Sequence, residues 1–216
     1  MKQKATGPVC ISDTDRYLCH MRNPEVTKER ILKQSGRLFN TQGYKATSLS
    51  DITSATGFTK GAIYKHFKNK EKLETETLTY LSLAMFGHLR AEIKSKATAP
   101  EKLKALFHYF ESHVTHPSVK GGCPLLNAAI ESDDSNPALR KRALFLLDGF
   151  RDAIVTILNN GISHHQLKPE INKEHYATLI IATLEGAIMM SKLRGSDSAI
   201  RAVTRHLSTL VQEIEL

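Results

Sequence analysis

The sequence has no tryptophan and only 6% aromatic residues, so a hydrophobic core must be built mainly from leucine, isoleucine, alanine and methionine. That balance favours helices over a β-sandwich, whose strands prefer aromatic and β-branched residues. No segment approaches eighteen consecutive apolar residues, and we therefore expect no membrane span. Three cysteines (Cys10, Cys19 and Cys123) give no even disulfide framework, which favours a cytoplasmic protein in a reducing environment.

The net charge of +8 is concentrated in the first third of the 216-residue chain. Residues 1–75 contain 14 Lys and Arg against 7 Asp and Glu, whereas the remaining residues contain 16 against 15. A basic excess confined to one segment is typical of a module that binds a polyanion. Nucleic acid is favoured over a membrane surface, because no long basic amphipathic helix accompanies the charge.

The segment 47–73, TSLSDITSATGFTKGAIYKHFKNKEKL, predicts two short helices and the start of a third. Either Thr47 or Ser48 can cap the first helix with a side-chain oxygen. Gly57 can end that helix, because a residue without Cβ readily adopts the left-handed conformation. The second helix is expected over Lys60 to Phe67. Two such helices joined by a tight turn form a helix-turn-helix, whose second helix can enter the major groove of DNA.

The second helix has an apolar side, formed by Ala62, Ile63 and Phe67, and a polar side that carries no carboxylate. We expect the polar side to contact DNA. Tyr64 can bind a phosphate or stack on a sugar or base, whereas Lys60 and Lys65 can reach either base edges or the backbone. The predicted DNA-contact set is Thr47, Thr59, Lys60, Gly61, Tyr64, Lys65, His66 and Lys70. Within it, Thr47 and His66 are predicted phosphate contacts, Gly61 permits close approach, and Thr59 is first a helix cap.

Twelve spaced positions carry a resemblance to a known family: Thr47, Ile52, Gly57, Phe58, Thr59, Gly61, Ile63, Tyr64, His66, Phe67, Lys70 and Leu73. This run resembles the DNA-binding signature of the TetR/AcrR family of bacterial one-component regulators. The likeness is close over residues 27–73 and is one of helix layout beyond them. It implies an all-α homodimer, with an N-terminal three-helix helix-turn-helix domain followed by a larger helical ligand-binding and dimerisation domain. It also supports a phosphate contact at Lys70.

On this basis we divide the chain into a disordered tail (residues 1–24), a helix-turn-helix DNA-binding domain (25–72) and a helical effector-binding and dimerisation domain (73–216). A basic arm that enters the minor groove is the alternative for the tail. Whether residues 1–20 belong to the native protein is left open, since Met21 could be the true start. The first helix is predicted from Lys28 to about Gly43, with Thr27 as its cap.

Six further helices are predicted after the DNA-binding motif. They are expected from Lys70 towards Lys96, from Glu101 to about Thr115, from Pro124 onwards, from Pro137 to about Asn160, from Lys173 to about Arg194, and from a cap at Ser196 or Asp197 to the end. Their apolar side chains suggest an effector pocket. Its candidate residues are Phe107, Phe110, Leu126, Phe150, Ile154 and Met189, which could also be ordinary core residues.

The helix from Lys173 to Arg194 is apolar over most of its circumference, which predicts burial on two sides. One side would face the subunit core and the other a second subunit. The last two helices are therefore expected to pair with their symmetry mates as a four-helix bundle. The predicted interface residues are Ile181, Leu184, Ile188, Val203, Leu207 and Leu210. A purely intramolecular core is the alternative.

Catalytic and metal chemistry have little support in the sequence. His113 and His116 could share a helix face, but no acid or cysteine completes a metal site nearby. Cys123 could be a redox-sensitive thiol at a helix start, although a small buried apolar residue is the favoured interpretation. We therefore predict no metal, no cofactor and no enzymatic activity.

The sequence as a whole predicts a dimeric transcriptional regulator, most simply a repressor that an unknown small-molecule effector releases from a palindromic operator in double-stranded DNA. Two recognition helices related by a two-fold axis would bind half-sites ~34–36 Å apart, or a multiple of that distance. The alternatives are a helical enzyme or metal-binding protein, a constitutive DNA-binding protein, and an activator.

Overall fold

The computed structural model describes residues 23–117, 119–132 and 135–216 of the chain, and these residues form nine helices. In chain order the helices are α1 (Pro24–Gln42), α2 (Leu49–Thr56), α3 (Lys60–His66), α4 (Lys70–Lys94), α5 (Ala99–Thr115), α6 (Pro124–Ser132), α7 (Pro137–Ser163), α8 (Lys173–Arg194) and α9 (Ser198–Ile214). The predicted all-α fold class is confirmed. The predicted tail lies outside the described residues, apart from its last two positions.

The first helix starts four residues earlier than the sequence predicted. Asn23, rather than Thr27, is its cap, because the Asn23 side chain accepts a hydrogen bond from the backbone N–H of Glu25. Pro24 then occupies a position where its fixed φ suits a helix start. The helix ends at Gly43, as expected, and Tyr44 folds back to stack on Phe39, with ring centroids 4.8 Å apart.

Helices α1, α2 and α3 form the small N-terminal core. Ile31, Phe39, Ile52, Ile63 and Phe67 are each at most 1% exposed and belong to one hydrophobic cluster. Burying side chains of this size stabilises a fold by about 1.5–3 kcal/mol each. These contacts fix the orientation of α3, which is too short to be stable alone.

Helix α4 joins the N-terminal core to the rest of the molecule. It packs against α1 on one side and against α5, α6 and α7 further along. The approach to α1 is close, because a Cβ added at Gly36 would lie 2.7 Å from the Leu81 Cδ2 atom. Leu73, Leu78 and Met85 of α4 are buried at this junction. The two parts of the chain are therefore connected by a long helix with continuous packing.

Helices α5 to α9 form the larger helical bundle. In that bundle α9 packs against α5 and α8, and α8 packs against α7. Thr98 caps α5 in a capping box with Glu101, and Asn172 caps α8. Asp197 precedes α9 but makes no side-chain capping bond.

Within the part of the chain that the structure describes, α8 is the one helix long and apolar enough to cross a membrane by length and composition alone. The sequence-based expectation rested on an unbroken apolar run, which residues such as Glu185 interrupt. One face of α8 packs in the bundle core: Ala177, Leu184 and Ala187 are at most 1% exposed. A core helix of this kind passes the same length and composition test.

Candidate nucleic-acid interface

The helix-turn-helix is held in shape by three local devices. Ser48 caps α2 and forms a capping box with Asp51, each side chain bonding the backbone N–H of the other residue. The Ser48 hydroxyl also donates to the Asp51 carboxylate at 2.7 Å, and this bond, together with the one from the Ser48 backbone N–H, lowers the pKa of the Asp51 carboxyl. Gly57 ends α2 in the left-handed conformation, with φ 73°. Thr59 then caps α3, since its hydroxyl oxygen accepts a hydrogen bond from the backbone N–H of Ala62.

Burial of one side of α3 leaves the opposite side exposed. Ile63 and Phe67 are both 1% exposed, whereas Tyr64 is 46% exposed. Lys60, Gly61 and Lys65 are exposed as well, Thr59 is exposed at the helix start, and His66 is half-buried. The structure therefore brings six of the eight predicted DNA-contact residues onto or beside one exposed surface, which we call the α3 surface. It contains two lysines and no acidic residue of α3.

Gly61 lies in the middle of the α3 surface. A Cβ at this position would meet only the Thr59 Oγ1 atom, at 3.9 Å. No contact within the described part of the subunit therefore demands a glycine here. Glycine in a helix costs about 1 kcal/mol relative to alanine. A requirement for close approach by another molecule, such as a DNA backbone, is one physical reason for a glycine on this surface.

The structure does not support a side-chain contact from Thr47. Its side chain is buried, with 0% of the residue exposed, and its hydroxyl donates to the Gly43 carbonyl at 2.7 Å. The hydroxyl therefore stabilises the turn between α1 and α2. The predicted phosphate contact at Thr47 was wrong, because a side chain closed inside the fold cannot reach a phosphate.

Lys70 is half-buried at the start of α4. Its ammonium donates to the Tyr44 carbonyl at 2.9 Å and pairs with the Glu74 carboxylate at 3.2 Å. The side chain thus ties α4 to the end of α1. A phosphate at this helix end would compete with both partners for the same ammonium group, so the predicted contact at Lys70 stays a prediction.

The six residues predicted as an effector pocket do not surround one space. Phe110, Phe150 and Ile154 are buried in the core, and the Phe110 and Phe150 rings stack with centroids 5.8 Å apart. Phe107 and Leu126 border two different cavities, and Met189 is 48% exposed on the outside of α8. The aromatic residues fill the bundle core, which is the alternative that the sequence left open.

Two cavities in the bundle are better candidates for small-molecule binding. One, of about 690 Å³, lies between the end of α5, the loop before α6 and the end of α8; we call it the α5–α8 cavity. The second, of about 300 Å³, is an apolar groove between α6, α7 and α8. Both volumes fall in or near the range of ligand sites in proteins, ~300–1,000 Å³.

Four of the six residues predicted for the dimer interface are buried inside the subunit. Ile181, Leu184, Ile188 and Leu207 are at most 8% exposed, and Val203 and Leu210 pack partly buried against the same core. Burial of these four side chains argues against their place in an interface. Both sides of α8 are apolar, and periodicity alone cannot tell which one the subunit covers. Val203 and Leu210 stay predictions. In the single subunit the large exposed apolar residues of α8 are Met189, Met190 and Leu193.

Cys123 is buried next to a glutamate. Its thiol donates to the Glu185 Oε1 atom at 3.0 Å, and the second carboxyl oxygen has no hydrogen-bond partner among the described residues. Burial raises the pKa of both groups, and the neighbouring carboxyl raises that of the thiol further. Cys123 is therefore held as a neutral thiol, which agrees with the buried-residue interpretation and not with a reactive redox site.

The two histidines considered as metal ligands differ in their exposure. His113 is buried and stacks beside Tyr109, with ring centroids 6.1 Å apart, while His116 is exposed. Among the described residues, no group of three His, Cys, Asp or Glu side chains is placed to hold a metal ion.

Sequence reasoning missed the junction between the two parts of the molecule, which is a hydrogen-bonded cluster around Asn40. The Asn40 amide donates to the carbonyls of Lys120 (2.8 Å) and Gly122 (3.1 Å) and accepts a bond from Asn127 (2.9 Å). Asn127 also donates to the Gly121 carbonyl at 3.0 Å. A buried asparagine on the apolar side of a helix and a Gly-Gly pair were the available signals. The two segments lie 80 residues apart in the sequence, so no local pattern predicts their contact.

The comparisons with known proteins agree with this architecture. The family model "Bacterial regulatory proteins, tetR family" matches residues 31–76, and "Tetracyclin repressor-like, C-terminal domain" matches residues 99–207. The crystal structure of a TetR transcriptional regulator from Chloroflexus aurantiacus is 36% identical, with a TM-score of 0.86 over 91% of this chain and 100% of that one. This chain belongs to the TetR family.

Further TetR-family relatives cover most of the chain or its DNA-binding part. A regulator structure from Cytophaga hutchinsonii is 31% identical, with a TM-score of 0.81 over 95% of this chain and 98% of that one. The HTH-type regulator AcrR of Shigella flexneri is 41% identical over 92 residues, 41% of this chain and 42% of that protein. The repressor KstR2 of Mycolicibacterium smegmatis is 35% identical over 85 residues, 39% of this chain and 41% of that protein.

These relationships confirm the predicted family and its general function. The chain is a TetR-family DNA-binding transcriptional regulator, and its relatives are regulators and not enzymes. The match to the tetR family model covers the helix-turn-helix, which includes the α3 surface.

Proposed function

We propose that this TetR-family regulator is a cytoplasmic homodimeric repressor that binds a palindromic operator through its two α3 helices and leaves it when a small molecule binds. The α3 surface is the observation that supports the proposed binding to DNA. Lys60, Tyr64 and Lys65 stand exposed on a helix whose other side is fixed in the core, and Gly61 between them has open space in front of it. This arrangement can place two cations and a phenol hydroxyl against a phosphate backbone or base edges.

The proposed contacts can be tested once a binding sequence has been selected from a random DNA pool. Lys65→Ala should weaken binding to that sequence and lower the slope of log affinity against log salt by about one unit. Tyr64→Ala should weaken binding without that change in slope, since it removes no charge. The matched control is Lys94→Ala, the same charge change at the far end of α4, about 37 Å along the helix from its start. Normal binding by both α3 variants would refute the assignment of α3.

For dimerisation we propose the outer side of α8, opposite the predicted one. Ala182, Met189, Met190 and Leu193 are exposed there, and a Cβ at Gly186 would meet nothing within 4 Å. Met189, Met190 and Leu193 are neighbours at helical spacing, and a contiguous exposed apolar patch of this kind marks an interaction surface. The exposed residues of α7 next to this side, including Leu144 and Leu147, would complete a four-helix bundle with a second copy.

The same substitution on the outer sides of α8 and α9 tests which of the two surfaces forms the dimer interface. Ala182 and Ala202 are both exposed alanines, on the outer sides of α8 and α9 respectively. Ala182→Glu should shift the sedimentation equilibrium towards monomer, because it introduces a charge into an apolar interface. Ala202→Glu should leave the dimer unchanged, since the outer side of α9 is polar. A dimer unaffected by Ala182→Glu would refute the α8 interface.

Release by an effector requires that the molecule bind one arrangement of the dimer more tightly than another. The two cavities and the continuous packing from α1 through α4 support such a mechanism. A metabolite screen for release of the selected DNA tests it. DNA binding that no metabolite alters would favour a constitutive regulator, and increased transcription from the bound promoter in a reconstituted assay would favour an activator.

A further inference from the structure

The loop before α6 is held from two sides. On one side it is attached to the DNA-binding domain, through the Asn40 amide and the carbonyls of Lys120 and Gly122. On the other side the Lys192 ammonium, near the end of α8, donates to the Gly121 carbonyl. A single short loop therefore connects α1 of the DNA-binding domain to α8 of the bundle.

The fit between this loop and α1 is close at the level of the backbone. Gly121 has φ 111°, a conformation that residues with a Cβ rarely adopt, and a Cβ added there would lie 2.0 Å from the Asn40 carbonyl oxygen. No side chain separates the two segments at this point. A displacement of Gly121 must therefore displace the Asn40 peptide or break the hydrogen bonds of its side chain.

The same loop forms part of the wall of the α5–α8 cavity. Gly121, Gly122 and Lys192 border that cavity together with His113 from the last turn of α5. The 690 Å³ space is thus in direct contact with the residues that attach the bundle to the DNA-binding domain. A molecule bound there would touch the junction without an intervening layer of side chains.

The chemistry of the cavity wall favours a ligand with both an apolar part and a hydrogen-bond acceptor. Val114, Pro117 and Ile188 supply apolar surface. Lys192 is exposed and carries the one cation among the described lining residues, and the His113 Nε2 atom, although buried, has no hydrogen-bond partner in the described structure. Asp197 is the acidic lining residue, but Arg201 neutralises it at 2.6 Å.

In the structure the Lys192 ammonium donates to an uncharged acceptor, the Gly121 carbonyl. A cation binds a carboxylate more strongly than it binds an uncharged acceptor, because the charge of the acceptor adds to the hydrogen bond. A carboxylate in the cavity would therefore compete with the Gly121 carbonyl for Lys192. Loss of that bond would release the attachment of the loop to α8 and leave Asn127 of α6 as the donor to the Gly121 carbonyl.

We propose that the α5–α8 cavity binds a small apolar carboxylic acid in its ionised form, which draws Lys192 away from Gly121 and so loosens the attachment of the DNA-binding domain at Asn40. The role of the acid as an effector rests on the function proposed above, whereas its binding does not. The ligand acts through the hydrogen-bonded cluster around Asn40. Helix α8 contains both Lys192, which would bind the carboxylate, and the proposed dimer surface.

Binding can be tested without DNA. The probes are straight-chain carboxylates of four to ten carbon atoms, each compared with its primary amide, which has nearly the same shape and no charge. In a thermal shift assay at constant ionic strength, at least one carboxylate should raise the melting temperature more than its amide does. Equal shifts for every acid and amide, or no shift with any acid, would overturn the proposal.

Variants test whether Lys192 is the residue that discriminates between the acid and its amide. Lys192→Met keeps an unbranched side chain only one heavy atom shorter and removes its charge, so the preference for the acid should be lost. Lys192→Arg should retain it. The control is Lys173→Met, the same change at the other end of α8, about 30 Å away by helix rise, which should behave as wild type. An undiminished preference in Lys192→Met would overturn the proposal even if the acid binds.

The coupling to DNA is measured separately, with the selected operator. The acid that binds most tightly should weaken operator binding of the wild-type protein and leave that of Lys192→Met unchanged. Binding of the acid without any effect on DNA affinity would refute coupling through Gly121 while leaving the binding site intact. Failure to select any operator would instead count against the proposed repressor function, so the two outcomes are distinguishable.

Discussion

Asn40 offers a direct test of how the two parts of the molecule are joined. The residue is 4% exposed, and its side chain takes part in three hydrogen bonds, to the carbonyls of Lys120 and Gly122 and from the amide of Asn127. The orientation of the amide follows from these partners, because its nitrogen faces two acceptors and its oxygen faces a donor. At roughly 1 kcal/mol for each bond, Asn40→Ala should lower the free energy of unfolding by about 3 kcal/mol.

That loss is large beside the total stability of an ordinary domain, ~5–15 kcal/mol, and urea titration followed by circular dichroism would measure it. Asn40→Asp separates the hydrogen bonds from the packing, because it keeps the volume and turns an oxygen towards the two carbonyls. It should destabilise at least as much as the alanine variant. The control is the neighbouring Thr41→Ala: Thr41 is exposed and bonds only within α1, so the change should stay within about 0.5 kcal/mol. A loss below about 1 kcal/mol for both Asn40 variants would refute the role of this cluster.

Three further predictions concern a helix cap, a histidine and a thiol. Ser48→Ala should destabilise the protein by about 1 kcal/mol in urea titrations, since it removes the capping box of α2, whereas Ser54→Ala on the exposed side of the same helix should change little. Burial lowers the pKa of His113, so protonation disfavours the folded state; the free energy of unfolding should fall as the pH drops below about 6.5, and His113→Gln should remove part of that fall. Because the pKa of the Cys123 thiol is raised and the side chain is buried, iodoacetamide should label Cys123 far more slowly in the native protein than in urea, as followed by peptide mass mapping; similar rates would contradict the structure.

The sequence predicted the helical elements well wherever their ends carry local chemical signals. Thr59 caps a helix as expected, and Pro124 and Pro137 each begin one. The orientation of α3 was predictable for a similar reason. Ile63 and Phe67 lie on one side at helical spacing, so the exposed side followed directly.

The errors have a common physical origin in contacts that periodicity does not encode. Thr47 was predicted as a phosphate contact, but its hydroxyl donates to the Gly43 carbonyl inside the fold. For α8, Leu184 and Met189 are equally apolar, and only the surrounding helices decide which of them is buried. The Asn40 cluster joins segments that are distant in the chain.

A peptide-to-peptide contact transmits movement differently from a contact between side chains. At Gly121 the main chain of one domain rests on the main chain of the other, with no room for even a methyl group between them. Side chains can absorb a shift of a few tenths of an ångström by changing rotamer, whereas two peptide groups in contact have no such freedom. A displacement of the loop before α6 is therefore passed to α1 with little loss, and a side chain of any size at position 121 would change how the DNA-binding domain is placed against the helical bundle.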